Sequence, residues 1–236
     1  MFVFLHGLIG DPGHFDRVVA QMPADAPLYV PELKYTEMGF GEIGSAVAQT
    51  IRARARDGVP VVVVGNSIGC VLALDLAELA DHVILAGPPF EFDATPVPLQ
   101  RDRLEAFVRT LFSQNLDEGI VAKYLAPSVA QLDHLTGSRA MVRRTRQLRD
   151  IARGFPCHPG LGCTDTRITI LAGALDFMAP VGPMLAHFAR AAPHARLRIV
   201  PDCGHAVPIE APQAVLDVLY ICAGATPGGS LRRAAG

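Results

Sequence analysis

Residues 61–77 have the sequence VVVVGNSIGCVLALDLA, in which a serine flanked by two glycines joins an apolar run to a helical pattern. The four valines predict a strand that is buried on both faces. Gly65 and Gly69 have no side chains, so the strand and the helix can approach each other across a tight turn. A Gly-x-Ser-x-Gly turn between a strand and a helix exposes the serine hydroxyl at the strand end. The pattern predicts that Ser67 is a nucleophile.

A serine hydroxyl is a weak nucleophile, so it requires a base, and the base requires an acid that orients it. His205 follows a predicted strand at 196–201, and Asp176 follows another at 168–173. Both residues therefore lie at carboxyl ends of strands, where open α/β sheets bind their ligands. We predict that Ser67, Asp176 and His205 form a catalytic triad.

The acid has competitors in the sequence. Glu91 and Asp93 follow the fourth predicted strand and are candidates for the same role. Asp176 also has a structural interpretation, because aspartate is a favoured helix N-cap.

The rest of the chain alternates between short β-branched runs and helical stretches. The predicted strands lie at 2–5, 28–30, 61–65, 82–87, 168–173 and 196–201. Their continuous apolar character is typical of parallel strands covered on both faces. We therefore predict an α/β fold with a mostly parallel sheet of about six strands.

One long stretch breaks this alternation. Residues 89–164 contain no convincing strand and predict helices at about 99–114, 117–125 and 138–153. We interpret this stretch as a helical lid inserted into a core formed by 1–88 and 165–224. A last helix is expected near 211–223, and the tail 225–236 is expected to be disordered.

Composition narrows the choice of partners. Lys and Arg number 21 against 23 Asp and Glu, for a net charge of −2. This balance gives no indication of nucleic-acid or membrane binding, and no apolar run is long enough to span a bilayer. The sequence lacks the pattern of a signal peptide, so a cytoplasmic location is expected. The five cysteines are scattered, and CHPGLGC at 157–163 is interpreted as a loop rather than a metal site.

Four spaced motifs in this order resemble the α/β-hydrolase superfamily over nearly the whole chain. They are His6-Gly7, Gly65-Asn66-Ser67-Ile68-Gly69, Gly173 with Asp176 and Pro180, and Gly204-His205 with Glu210 and Pro212. The resemblance implies an oxyanion hole formed by the backbone N–H groups of Leu8 and Ile68, with no metal and no organic cofactor. It also implies two further antiparallel strands before the first strand, for which this chain has no residues.

The resemblance leaves the substrate open. A small hydrophobic acyl compound, an ester or thioester, is the expected substrate, and a monomer or homodimer is the expected state. Asn66 before the serine is similar to the elbow of the C–C hydrolases of vinylogous diketones. A tailoring enzyme that carries out cyclisation or acyl transfer, and a non-catalytic binding module on the same fold, are further alternatives that the motifs leave open.

Apolar residues near the predicted site are candidates for substrate binding. LEAFVRTLF at 104–112 places Leu104, Phe107, Val108, Leu111 and Phe112 on one helical face. We predict that Phe107 and Leu111 contact the substrate from the lid, and that Phe177 and Met178 do so from the sheet.

Several further polar residues are interpreted as structural. His14, His134, His158, His187 and His194 are expected on the surface or in loops. The helix at 138–153 is rich in arginine, which predicts either a solvated face or a site for a carboxylate or phosphate.

Overall fold

A computed structural model describes residues 1–90, 103–162 and 165–224. Glu91, Asp93 and the predicted disordered tail 225–236 lie outside these residues. Within them, no helix has the length and apolar character needed to cross a bilayer.

The sheet has six parallel strands in the order β2-β1-β3-β4-β5-β6. The strands are β1 Phe2–Leu5, β2 Leu28–Tyr29, β3 Val62–Asn66, β4 His82–Ala86, β5 Arg167–Gly173 and β6 Arg196–Val200. Each predicted strand is present, with ends that differ by one residue at most from the prediction. The predicted α/β class and the parallel sheet are confirmed.

Helices cover both faces of this sheet. In the described residues the α helices are α1 Asp16–Val19, α2 Phe40–Arg54, α3 Gly69–Asp75, α4 Leu104–Arg109, α5 Glu118–Thr136, α6 Arg139–Arg153, α7 Val181–Ala191, α8 Val207–Glu210 and α9 Pro212–Cys222. Strand β1 shows how the layers form, because Val3 and Leu5 join one apolar core while Phe2 and Phe4 join the other. Alternate side chains of a strand point to opposite faces, so both faces of β1 are buried.

The chain between β4 and β5 is helical where it is described. Helices α4, α5 and α6 pack in sequence there, and α5 continues to Thr136 rather than ending near residue 125. Pro127 lies inside α5, yet Leu125, Ser128 and Leu132 are buried along one side of it. Burial of this face holds the helix together despite the backbone hydrogen bond that a proline removes.

Candidate active site

The turn after β3 has the geometry expected of a nucleophile elbow. Ser67 has a φ of 54°, in the left-handed region that a residue with a side chain rarely adopts. A Cβ atom at Gly65 would lie 2.3 Å from the carbonyl oxygen of Gly69. A Cβ atom at Gly69 would lie 2.2 Å from the carbonyl oxygen of Leu5. The two glycines therefore allow the close approach that holds Ser67 in its strained conformation.

The structure brings Ser67, His205 and Asp176 together. His205 Nε2 lies 3.0 Å from Ser67 Oγ, and His205 Nδ1 lies 2.8 Å from Asp176 Oδ2. The second carboxylate oxygen of Asp176 accepts a hydrogen bond from the Met178 amide at 2.9 Å. The Asp176 side chain is fully buried, so both of its oxygens have partners inside the protein.

Two opposing effects act on the pKa of His205. Burial lowers it, because a charged imidazolium is costly away from water. The charge and hydrogen bond of Asp176, together with the charge of Glu210, outweigh burial and raise the pKa above its ordinary value. The pair thus stabilises a protonated His205, which is the state that a general base reaches when it takes up a proton.

Glu210 holds the loop that carries His205. Its Oε2 accepts a hydrogen bond from the Gly204 amide at 2.9 Å, and its Oε1 accepts one from the Ala206 amide at 3.2 Å. The His205 amide donates to the carbonyl oxygen of Leu111 at 2.9 Å. The histidine loop is therefore fixed on both sides of the imidazole by backbone hydrogen bonds.

His6 fixes the loop after β1. The Leu33 amide donates to His6 Nε2 at 2.9 Å, so that nitrogen is an acceptor and Nδ1 carries the proton. Nδ1 donates to the carbonyl oxygen of Gly7 at 2.8 Å, and Tyr35 donates its hydroxyl to the His6 carbonyl at 2.9 Å. Burial lowers the pKa of His6, which keeps the imidazole neutral. These contacts give His6 a supporting role in the loop.

This loop lies directly beside the serine. A Cβ atom at Gly7 would lie 3.1 Å from Ser67 Cβ. The backbone amides of Leu8 and Ile68 donate no hydrogen bond to any residue that the structure describes. One unpartnered amide thus follows Ser67 in sequence, and the second belongs to the loop beside it.

A cavity of about 70 Å³ lies between Ser67 and the helical insertion. Ser67, His205 and Leu8 line it from the core. The insertion contributes the apolar residues Phe107, Val108, Leu111, Phe112 and Leu132. The structure therefore places the predicted residues Phe107 and Leu111 at the cavity, together with Met178 from the loop after β5.

Phe177 requires a correction. Its side chain is 40 % exposed and is not among the residues that line the cavity. The turn directs Asp176 and Met178 inward, at 4 % and 3 % exposure, so the residue between them faces solvent. Adjacent positions in a tight turn cannot all face one cavity, and position in the sequence alone does not show which of them does.

His14 requires a second correction. The sequence predicts a surface or loop residue rather than a ligand, but His14 is 9 % exposed and lines the cavity. It lies in a short 3-10 helix, Pro12–Phe15, that follows the His-Gly loop. No periodicity in the sequence around it indicates burial, so the sequence offers no signal for this position.

Asn66 has a structural explanation. Its Nδ2 donates to the carbonyl oxygen of Ala86 at 2.9 Å and lies 3.5 Å from the carbonyl oxygen of His205. The side chain therefore ties the elbow to β4 and to the histidine loop. These contacts account for an asparagine before the serine without invoking C–C bond chemistry.

The arginine-rich helix α6 is largely a solvated face. Arg139, Arg143 and Arg146 are exposed. Arg144 instead points inward and donates through Nε to the Tyr35 carbonyl at 2.8 Å and through a guanidinium nitrogen to the Met38 carbonyl. In the part of the chain that the structure describes, no cluster of ligands suited to a metal ion is present.

Comparison with known proteins agrees with this architecture. The model of the alpha/beta hydrolase family matches residues 2–218, so the chain belongs to this family and is an enzyme of the hydrolase class. No curated protein matches the sequence.

Three solved structures show how far the fold extends to distant proteins. A bacterial membrane phospholipase A has 16% identity and a TM-score of 0.71, with 94% of this chain and 77% of that chain covered. An alpha/beta hydrolase from the metagenome of Mar Chica lagoon sediments has 21% identity and a TM-score of 0.64, with coverage of 93% and 88%. A thermophilic esterase from Thermogutta terrifontis has 17% identity and a TM-score of 0.66, with coverage of 94% and 89%. At these identities the likeness concerns the fold.

Proposed function

We propose that this protein is a serine hydrolase that cleaves carboxylic esters of short acyl groups through a covalent acyl-enzyme. The observation that carries the proposal is the continuous hydrogen-bonded chain from Ser67 Oγ through both nitrogens of His205 to Asp176. It supplies a nucleophile, a base and an orienting acid at hydrogen-bonding distances.

The proposed reaction starts with proton transfer. Asp176 Oδ2 accepts a hydrogen bond from the Nδ1–H group of His205, which leaves the Nε2 lone pair free to take the Ser67 proton as Oγ attacks the ester carbonyl. The resulting imidazolium returns that proton to the leaving alcohol, and an acyl group remains on Ser67. A water molecule, deprotonated by His205 in the same way, then releases the acid and restores the serine.

Negative charge develops on the carbonyl oxygen during both attacks. We assign its stabilisation to the backbone N–H groups of Leu8 and Ile68, which have no partner among the described residues. Preorganised donors of this kind contribute about 3–4 kcal/mol each to catalysis in known hydrolases. The His6 hydrogen bonds hold the Leu8 segment in place before substrate arrives, so little reorganisation is needed.

The cavity limits the acyl group. Its volume of about 70 Å³ is roughly half that of an engineered cavity of about 150 Å³ that holds benzene. An acyl chain of about three or four carbons fills such a space. The helical insertion supplies the apolar wall over Ser67. We propose that this insertion, residues 89–164, acts as a lid over the active site.

A series of p-nitrophenyl esters from acetate to decanoate tests this proposal. Each buried methylene adds about 0.8 kcal/mol, so kcat/KM is expected to rise up to about fourfold per carbon until the cavity is filled. We expect a maximum near butyrate and a decline beyond it. A rate that still rises at decanoate would contradict the cavity argument, and absence of ester hydrolysis would contradict the proposed function.

A further inference from the structure

His14 is a buried imidazole, and neither of its nitrogens forms a hydrogen bond with a residue that the structure describes. Its Nδ1 atom is inaccessible to solvent and has no partner in the described part of the chain. Burial lowers its pKa to about 4, so the ring is neutral at physiological pH and has one donor and one acceptor nitrogen. Buried polar groups in native proteins are nearly always paired, so an unpaired one requires an explanation.

The orientation of the ring suggests where its partner lies. A Cβ atom at Gly10 would lie 2.6 Å from His14 Nδ1 and 2.7 Å from Cε1, so this ring edge faces the α carbon of Gly10. A C–H group offers only a weak contact to an acceptor and none to a donor, which favours the proton on Nε2. His14 lines the cavity, and because its Nδ1 atom is inaccessible to solvent, we infer that Nε2 is the ring nitrogen that faces this space.

A second polar group lines the same cavity. Ser128, on α5, is 2 % exposed, and its hydroxyl makes no hydrogen bond with any described residue. Thr145 differs, because its hydroxyl donates to the carbonyl oxygens of Met141 and Leu135. The largely apolar cavity therefore contains two polar side chains with unused hydrogen-bonding capacity.

We propose that His14, assisted by Ser128, binds an oxygen atom carried by the acyl chain of the substrate, such as a hydroxyl, ether or keto oxygen. This inference rests on the proposed ester hydrolysis and makes it more specific, because a plain alkyl chain leaves the Nε2–H group unpaired. A buried donor distinguishes a substrate that carries the matching polar atom from one that lacks it. This distinction is stronger than the one that an apolar pocket makes between substrates that differ by one methylene. His14 is then a specificity residue and takes no part in bond breaking.

Two esters of equal length test this inference. The p-nitrophenyl esters of methoxyacetic and butyric acids differ by one ether oxygen in place of a methylene, and their kcat/KM values are divided by their rates of hydroxide-catalysed hydrolysis. We expect the corrected ratio to favour methoxyacetate by about tenfold in the wild-type enzyme, the size of one hydrogen bond. A corrected ratio of one or less overturns the inference.

Two variants assign the preference to His14. His14→Phe keeps an aromatic ring and removes both nitrogens, so the corrected ratio is expected to fall to about one. His14→Gln retains an N–H donor and is expected to keep part of the preference. His134→Phe, at an exposed position on α5, is the matched control.

The outcomes separate the inference from the proposed function. Hydrolysis of both esters with a ratio unchanged in His14→Phe overturns the role of His14 and leaves the proposed function intact. If His14→Phe does not fold, the other two enzymes decide the question. A preference for methoxyacetate in the wild type that His14→Gln keeps in part supports the role of His14, and a wild type without this preference overturns the role. If the enzyme cleaves neither ester, both the inference about His14 and the proposed function are overturned.

Discussion

The backbone amide of Ser113 donates a hydrogen bond of 2.8 Å to the carboxylate of Glu210. The same oxygen, Oε2, accepts from the Gly204 amide, next to His205. One carboxylate thus joins the helical insertion to the loop that carries the proposed base. The position of the insertion and the position of His205 are therefore coupled.

Replacement of Glu210 by alanine should lower both the stability of the protein and its activity. It removes three hydrogen bonds to a carboxylate, each worth about 1.5–3 kcal/mol. Because water can replace part of these partly buried bonds, we expect a loss of at least about 3 kcal/mol in the free energy of unfolding. We also expect kcat to fall about tenfold, because His205 loses its fixed position. Urea unfolding and ester hydrolysis measure the two effects. Glu118→Ala, which removes an exposed ion pair with Arg109, is the control, and a Glu210→Ala enzyme with normal kcat would refute the coupling.

The acid of the triad is tested by the pH dependence of kcat/KM. His205 must be neutral to accept the Ser67 proton, and its pKa is raised, so kcat/KM should increase with pH through a midpoint above about 6.5. Asp176→Asn removes the main cause that raises this pKa, while burial still lowers it. We expect the midpoint to move to lower pH and kcat to fall by about 10⁴-fold.

Asp202→Asn, an exposed position in the turn before His205, is the control for that charge change. An Asp176→Asn enzyme that loses less than about tenfold in kcat would assign the acid role to another carboxylate.

The close approach at the elbow should be visible in stability. Gly69→Ala places a Cβ atom 2.2 Å from the carbonyl oxygen of Leu5, so we expect a loss of about 3 kcal/mol or more, or no folded protein. Gly41→Ala, in helix α2, meets no atom within 4 Å and should leave stability unchanged or raise it by up to about 1 kcal/mol. Thermal unfolding compares the two. Equal stabilities would show that the backbone at the elbow adjusts freely.

Buried His82 predicts a loss of stability in acid. Burial, with smaller contributions from Arg167 and Arg196, lowers its pKa to about 4, while the unfolded chain titrates near 6.5. As the pH falls from 6.5 towards 4, the unfolded state binds the proton first, so the free energy of unfolding decreases.

Variants at two histidines test this sign. The decrease in the free energy of unfolding between pH 7 and pH 5 should be smaller in His82→Gln than in the wild type by about 2 kcal/mol. His194→Gln, at an exposed position, should match the wild type. A His82→Gln protein with the wild-type dependence on pH would contradict the shifted pKa.

Much of this architecture was predictable because strong local signals agree with the fold. The apolar runs around Val62–Asn66 and His82–Ala86 are continuous, as buried parallel strands require, and the glycines at 65 and 69 mark the elbow. Asp176 and His205 each follow such a strand, so the topology brings them to the same edge as Ser67.

The remaining features depend on packing that a local pattern does not encode. A helix commonly ends near a proline such as Pro127, but the buried side of α5 continues to Leu135. Phe177 and Met178 are equivalent by position and hydrophobicity, yet only Met178 faces the cavity. His14 is buried beside Tyr124 of the insertion, a contact between segments far apart in sequence.

In the proposed reaction the acyl group of the ester becomes covalently bound to Ser67. Brief reaction with p-nitrophenyl butyrate, an acid quench and peptide mass mapping locate any covalent adduct. We predict one butyryl group on Ser67 in the wild-type enzyme, none in Ser67→Ala, and a fall in kcat of at least about 10⁴-fold in that variant. A butyryl group on another residue, or a Ser67→Ala enzyme with near-normal kcat, would show that Ser67 is not the nucleophile.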